Sequence, residues 1–541
     1  MSTCSAGSHV GPISIDVGDF NDDNNLDFAV ANYLHDNINI FSGYGNGSFS
    51  MPIPYSTGLN SNPTCILVAD LDKDSRLDII TANSGANNIG VLFGRGNSTF
   101  SELNTFSTGT GSAPNAIAIM DFNNDNQLDI AVANYGSDNV GILLGCINGT
   151  FFSQLTYPTG DFSSPLTIAV ADFNNDSYLD IVSSNSGTDC IGMLLGYATE
   201  DFLIAPPYST GSLSQPLSLV ANDFNNDTFL DVVVANNGTN NIMILFGSGY
   251  GTFSSQVIYS TGITSHSCSV AIGDFNNDHR MDIVVANSGE DNIGIYLSNG
   301  SGTFLDQTTY FTGLRSQPYS VVVVDFDNDT RLDIAVANYG SSSIGAFFGY
   351  GNGSFANQLI FNTGYRSHPF ALAIGDVNND NLTDIIATNN GYARAARLRD
   401  FFFVVDGGFA YAHVRHSYFL ALVQRVFRYS KNIDRFHSPA YIMISDLSDN
   451  FQTSRYSLLH EHSTYFQSTR DQYIDLFDKD RLVYLTPDSP NKMTHFDHNA
   501  VYIVGGIYDD QNKEPLTYEK LPLEKYFTEV RIKFLFLYIH I

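Results

Sequence analysis

A chain of 541 residues is long for one ordinary core, and its richness in Gly, Asn, Asp, Ser and Thr, with no Trp at all, reads as many short strands joined by turns. Acidic residues outnumber basic ones 56 to 25, so the net charge of −31 argues against nucleic acid as the main partner of the whole molecule and points to cations. The opening MSTCSAGSHVGPIS has neither a basic nor an apolar export-signal region, and no stretch approaches the roughly 18 apolar residues of a membrane span.

From the N-terminus onward one phrase recurs: DFNDDNNLD from Asp19, DLDKDSRLD from Asp70, DFNNDNQLD from Asp121, DFNNDSYLD from Asp172, DFNNDTFLD from Asp223, DFNNDHRMD from Asp274, DFDNDTRLD from Asp325 and DVNNDNLTD from Asp376. Each begins 51 residues after the last, a register that one insertion would break. Thr-Gly pairs ending at Gly58, Gly109, Gly160, Gly211, Gly262, Gly313 and Gly364 keep the same register, as do Asn32, Asn83, Asn134, Asn185, Asn236, Asn287, Asn338 and Asn389. Both sets are expected as turn residues suited to positive φ. Between them run short apolar segments, in the third unit 116–120, 128–133, 140–144 and 151–157, which predict four strands per unit and hence a propeller blade. Seven units are complete from Asp19 to Gly375, an eighth stops after its second strand near Asn389, and Gly7 stands where a Thr-Gly glycine belongs. The fold expected is an all-β propeller, of seven blades closed by strands from both ends or, in second place, an eight-bladed ring or a segment of a longer array. Cys4, Cys65, Cys146, Cys190 and Cys268 occupy non-equivalent places and predict neither a disulfide framework nor a metal site.

Within each phrase, side-chain oxygens fall at positions one, three, five and nine. These are Asp19, Asn21, Asp23 and Asp27, then Asp70, Asp72, Asp74 and Asp78, then Asp121, Asn123, Asp125 and Asp129, then Asp172, Asn174, Asp176 and Asp180. The later four are Asp223, Asn225, Asp227 and Asp231, then Asp274, Asn276, Asp278 and Asp282, then Asp325, Asp327, Asp329 and Asp333, and finally Asp376, Asn378, Asp380 and Asp384. Hard oxygens at alternate positions of a tight loop suit calcium, with a backbone carbonyl at position seven as a further ligand. Two carboxylates about 4 Å apart repel by about 4 kcal/mol at an effective dielectric near 20, which a divalent ion offsets. The ion is expected to tie strands at a blade edge; direct contact with a ligand and a merely solvated acidic face are the alternatives.

The loops resemble the Asp-x-Asp-x-Asp-Gly-x-x-Asp loops of integrin α-subunits and FG-GAP/VCBS repeat proteins, and Phe93-Gly94, Phe246-Gly247 and Phe348-Gly349 match that signature as structural turns. Position six, however, is Asn24, Ser75, Asn126, Ser177, Thr228, His279, Thr330 or Asn381, never Gly. A left-handed backbone there suits Asn and strains Thr, so tighter calcium binding is expected at the Asn loops than at Thr228. The resemblance implies an extracellular-type module with an unknown protein or glycan ligand, recognised on the face opposite the loops, where the sequence nominates no residue. Asn-x-Ser/Thr triplets at Asn46, Asn97, Asn148, Asn237, Asn299 and Asn352 would accept glycans in an exported chain. His9, His35, His266, His279 and His368 are expected at the surface, and no cluster in the repeats looks catalytic.

The organisation expected is repeats over 1–391, an unassigned junction over 392–420 and a second domain over 421–541. Helical apolar spacing runs from Tyr411 to Tyr429, a strand-like AYIMISDL follows from Ala440, and then come RLVYLTPDSPN, HNAVYIVGGIYDD and KLPLEKYF. Apolar strands ending in polar, Gly-bearing loops suggest an α/β ligand site. These segments resemble the tRNA purine-9 N1-methyltransferases of the SPOUT superfamily, the family of the mitochondrial ribonuclease P methyltransferase subunit, with a partial α/β knot. The resemblance implies S-adenosylmethionine as cofactor and tRNA as partner, with Leu485, Thr486, Asp488 and Ser489 lining one side of the pocket. It implies further that Gly505 and Gly506 let the backbone approach, that Leu521, Pro522 and Leu523 close the pocket, and that Asp509 is the general-base or substrate-positioning carboxylate. The first region suits an extracellular place and the second a mitochondrial or nuclear one, so the chain reads as a fusion of pieces, or as an RNA methyltransferase with the propeller as an accessory.

Overall fold

The computed structural model describes residues 2–7, 10–197, 201–364 and 366–391 and, beyond them, the strands Asp400–Val405, Ala440–Ser445, Phe466–Thr469, Leu482–Leu485, Val501–Val504, Ile507–Tyr508, Pro515–Leu516 and Phe534–Ile539. The chain divides into two compact units, Thr3–Gly407 and a second made of Met1–Ser2 with Gly408–Ile541.

In the first unit each repeat folds into one antiparallel blade. The first blade runs Pro12–Gly18, Asp27–Asn32, Asn37–Phe41 and Ile53–Ser56 in spatial order, and the fourth differs only in an outer strand split into Phe202–Ile204 and Tyr208–Ser209. Seven blades of contiguous sequence follow one another in this way. Closure by both chain ends, as expected, falls in an additional, eighth sheet: Pro369–Gly375, Asp384–Asn389 and Asp400–Val405 are completed by Ser2–Gly7 as the outer strand. The innermost strands of neighbouring blades lie side by side, and Pro12–Gly18 of the first packs against Pro369–Gly375 of the last. The propeller unit thus continues past 391, because the third strand of that last sheet lies downstream of it.

The core lies between blades, which explains the near-continuous apolar reading of the second strands: DIAVAN at Asp129–Asn134 is buried at every residue. Phe20, Ala29, Ile38 and Ile40 of the first blade pack on Ile66, Ile79, Leu92 and Phe100 of the second, and Phe28, Val30 and Phe41 pack on Val377 and Ile386 of the last. At about 1.5–3 kcal/mol for each large side chain buried, a blade removed from the ring leaves two such faces in water. Polar ties add register between blades: the Ser14 hydroxyl accepts from Ile66 N at 3.1 Å and the Asp16 carboxylate from Val68 N at 2.9 Å.

The recurrent Asn residues require a correction. Asn32 and its equivalents are not turn residues at positive φ; they end the second strands and are buried. Their amides reach across to the first residue of the third strand, as from Asn32 to Asn37 and from Asn134 to Asn139, both at 2.8 Å. The Thr-Gly glycines do have the positive φ expected, 102° at Gly58 and 96° at Gly109.

In the second unit five strands form one sheet in the order Phe466–Thr469, Ala440–Ser445, Phe534–Ile539, Val501–Val504 and Leu482–Leu485. The two outer pairs are parallel and the central strand, FLFLYI, runs antiparallel to both neighbours. The helical segment expected over 411–429 lies outside the described residues. Among the described residues no helix is long and apolar enough to cross a membrane.

Candidate metal loops and the C-terminal strand ends

Each loop phrase leaves the inner strand and enters the second strand, so all eight loops lie at the same end of their blades. The residue types dictate the fold of the loop. The position-one carboxylate accepts from the position-six N–H at 2.7 to 2.9 Å in all eight copies, from Asn24 N to Asp19 through to Asn381 N to Asp376. That bond holds position six left-handed, as expected, with φ from 62° at Asn24 to 73° at Thr228. Position four is left-handed as well, 58° at Asp22 and 59° at Asn124, which explains its Asn-rich choice and was legible in the Asn-Asn pairs.

The ninth carboxylate is a staple. Asp129 is fully buried and accepts from Phe122 N at 2.8 Å and from Gly145 N at 2.7 Å, tying the loop start to the end of the third strand. The same pair of bonds recurs, for example, at Asp27, Asp78 and Asp231. Here lies the physical content of the Phe-Gly signature: at Gly94 a Cβ would stand 2.2 Å from the Leu77 carbonyl oxygen. Burial is the largest cause that raises these carboxyls, against the two N–H bonds and with help from the neighbouring carboxylates; Asp27, Asp78, Asp129 and Asp282 rise to about 6, and Asp180, Asp231 and Asp333 to about 7.

Two loops bring carboxylates of positions one, three and nine together, Asp70 with Asp72 and Asp78, and Asp325 with Asp327 and Asp333, their ligand oxygens within 4.8 Å of one another. Oδ1 of Asp327 is sealed from solvent and has no hydrogen-bond partner, and burial followed by the charges of Asp329 and Asp325 raises its carboxyl to about 6. A buried, unpartnered oxygen among like charges fits a cation with hard ligands. The loops are not equivalent. The amides of Asn123, Asn174 and Asn225 donate to Asp125, Asp176 and Asp227 at 3.2, 3.0 and 2.9 Å. In three others the fifth carboxylate faces an arginine: Asp74 faces Arg76, Asp278 faces Arg280 at 3.6 Å, and Asp329 faces Arg331 at 3.4 Å.

On the opposite face, the turn between second and third strands carries, in the first six repeats, a carboxylate or amide that sequence reasoning missed. Asp36 accepts from Asn60 N at 2.8 Å and Asn62 N at 3.0 Å, fixing the connection to the next blade, and Asp138, Asp189 and Asp291 repeat the arrangement. Its signal was its own 51-residue register. Of the glycan-acceptor triplets, Asn46, Asn97, Asn148, Asn299 and Asn352 sit in exposed turns in which the Ser or Thr two residues on bonds the Asn oxygen, whereas the Asn237 amide donates to Ser267 O at 3.3 Å.

In the second unit, Leu482–Leu485 and Val501–Val504 are adjacent and parallel, pairing Leu482 with Val501 and Leu485 with Val504. Leu485 is therefore the last residue of one strand, beside the last residue of the other. Thr486, Asp488, Ser489, Gly505, Gly506, Asp509, Leu521, Pro522 and Leu523 lie outside the described residues.

Residues 19–81, 71–132, 121–183, 223–285, 274–336 and 325–387 match the FG-GAP-like repeat family. Residues 396–528 match the tRNA (guanine(9)-N(1))-methyltransferase TRM10/TRM10A family, a match that starts upstream of 421. Bos taurus tRNA methyltransferase 10 homolog C is 44% identical over 70 residues, 11% of this chain and 16% of that protein. Xenopus tropicalis cartilage acidic protein 1 is 29% identical over 193 residues, 33% of this chain and 29% of that protein. The chain thus spans less than a third of either relative. Among solved structures, virginiamycin B lyase from Staphylococcus aureus aligns over 62% of this chain and 95% of its own, at 14% identity and a TM-score of 0.42. The Vibrio cholerae biofilm matrix protein Bap1 aligns over 74% and 88%, at 12% identity and a TM-score of 0.42.

Proposed function

The chain belongs to the FG-GAP-like repeat family and carries a TRM10-type domain over 396–528, and on that footing we propose a calcium-stabilised binding or adhesion module of extracellular type joined to a tRNA purine-9 N1-methyltransferase domain. The observation that supports calcium most directly is the sealed, unpartnered Oδ1 of Asp327 beside Asp325 and Asp333. Calcium takes six to eight oxygens in a flexible shell, which carboxylates and amides at alternate loop positions can supply, whereas magnesium demands near-octahedral order. The ninth carboxylate already ties two strands, so an ion it shares would brace the same junction. Chelation should lower the melting temperature of the full chain and added calcium restore it, by about 2.7 kcal/mol per site at a hundredfold excess over Kd. An unchanged melting curve would remove the calcium reading.

For the second domain, support comes from two parallel strands that end side by side, each leading into one of the motif loops. Ligands of α/β sheets sit outside the carboxyl ends of strands. S-adenosylmethionine, when bound, supplies the methyl group on its sulfonium. Leu485, Thr486, Asp488 and Ser489 would hold one side of it, Gly505 and Gly506 would admit its close approach to the backbone, and Leu521, Pro522 and Leu523 would exclude water. Asp509 would accept or orient the proton on purine N1, a role worth about 10²–10⁴ in rate. Calorimetry of the full chain with S-adenosylmethionine tests the pocket, and Asp509→Asn should keep that binding while losing methyl transfer to tRNA by that factor. Absence of cofactor binding by the unaltered chain would reduce the domain to a shared ancestry.

A further inference from the structure

We propose that a pocket of about 540 Å³, at the end of the inner strands away from the metal loops, binds a neutral saccharide unit. The proposal rests on reading the ring as a binding module and names where and what it binds. Its walls come from the fifth to eighth sheets, and Tyr319 and Phe370 are the residues that set this sector apart from the rest of the ring. The second residue of the inner strand is Ile13, Thr64, Asn115, Leu166, Leu217 and Cys268 in the first six blades, but Tyr319 in the seventh and Phe370 in the additional eighth sheet. Six blades fold without an aromatic ring there, so the fold does not require these two.

The two rings stack at 4.5 Å and 30°, and Tyr339 extends the platform, 6.1 Å from Tyr319 and stacked on His368 at 4.6 Å. Tyr319 remains 40% exposed, whereas packed rings of this ring system, such as Phe275 and Phe347, are fully buried. An aromatic platform open to solvent suits the C–H face of a pyranose ring. Polar groups of both kinds surround it. Among the described residues the side-chain amides of Gln317 and Asn390 have no hydrogen-bond partner, and the Asn237 amide nitrogen donates to Ser267 O while its oxygen stays unused. An amide that donates and accepts matches a sugar hydroxyl, which does the same.

Charge narrows the class. In a chain of net charge −31 the described residues that line this pocket include no carboxylate, lysine or arginine, and His266 is the imidazole among them. A cationic ligand would find no counter-charge among these described residues, and an anionic one would meet none among them either while approaching an acidic molecule. The volume lies within the roughly 300–1,000 Å³ of small-ligand sites.

The test is saturation-transfer NMR and calorimetry on the full chain with methyl glycosides of glucose, galactose and mannose, their 2-acetamido forms, and glucuronate as the charged control. At least one neutral glycoside should bind in preference to glucuronate. Tyr319→Thr, which installs the residue of the second blade, should weaken it at least tenfold, as should Gln317→Ala, while Tyr44→Ala on the loop face leaves affinity unchanged. Equal melting temperatures of Tyr319→Thr and the parent exclude unfolding as the cause. Absence of binding by every neutral glycoside, preference for glucuronate, binding indifferent to Tyr319→Thr, or occupation of the pocket by an apolar peptide alone would overturn the proposal. The calcium dependence of melting, read on the same samples, reports the metal loops separately from this pocket.

Discussion

The two ends of the propeller blades follow opposite rules. At the loop end, all eight repeats place carboxylates at positions one, five and nine and form the same bond from position six to position one, from Asn24 with Asp19 to Asn381 with Asp376. At the other end the frame also recurs, with Asp36, Asp138, Asp189 and Asp291 each capping a connection through two backbone N–H groups. Asn87, Asn240 and Ser342 take their place in other repeats, however, and one sector departs further through Tyr319 and Phe370. What every blade repeats, closure of the ring requires; what one sector alone carries, the ring can lose. A hydrogen-bonded staple in every copy is thus best read as architecture, and an aromatic cluster in one sector as recognition.

The largest effect should come from breaking the repeated feature. Asp231→Ala leaves Phe224 N and Gly247 N without the acceptor that now meets them at 2.9 and 2.8 Å, in a fully buried position. Two orphaned N–H groups at about 1–3 kcal/mol each give a loss of roughly 2–6 kcal/mol, read as a fall in the denaturation midpoint. If the variant melts with the parent, the ninth carboxylate is not a staple and the contrast between the two ends fails.

A smaller effect, of opposite sign in two conditions, separates staple from ligand within one loop. Asp327 sits third in its phrase and has an unpartnered oxygen among like charges. Asp327→Asn should therefore raise stability in chelator, where only repulsion is removed, and shrink the gain that calcium gives. A variant that is destabilised in chelator, or that keeps the full calcium gain, would place the cation elsewhere.

Much of this was legible in sequence because repetition removes ambiguity. Eight copies at one spacing fixed the blade, the loop and the left-handed sixth position, since the only freedom left was which residue type each place accepts. Asn32 and its equivalents misled for the same reason that Asn is common in turns: its amide is small enough for positive φ, yet here it is buried and crosses to Asn37. The strand Asp400–Val405 was invisible because it follows no repeat phrase, and its pairing with Asp384–Asn389 on one side and Ser2–Gly7 on the other defines it. The pocket could not be read at all, since Tyr319 and Phe370 stand 51 residues apart and become neighbours only when adjacent blades pack. For the second domain, motif order carried the reading, and the strands Leu482–Leu485 and Val501–Val504 appear where the motifs place them.

The smallest expected effect tests whether the inner strands join this contrast. Asp16 is the one acidic residue among the inner strands, and its carboxylate reaches from the first blade to Val68 N of the second at 2.9 Å while accepting from its own neighbour Val17 N. Burial raises its carboxyl above the ordinary range, against both bonds. A raised carboxyl means that the folded state holds the proton more tightly than the unfolded one. Its stabilising contribution is therefore full below the unfolded value near 3.8 and declines as pH rises through the folded value. Stability of the parent should fall more steeply than that of Asp16→Asn as pH is raised from about 4 through that window, in chelator so that the metal loops contribute equally to both. Parallel curves would show that water reaches Asp16 freely and that the tie between the first two blades is a surface bond, leaving the apolar faces alone to hold the ring closed there.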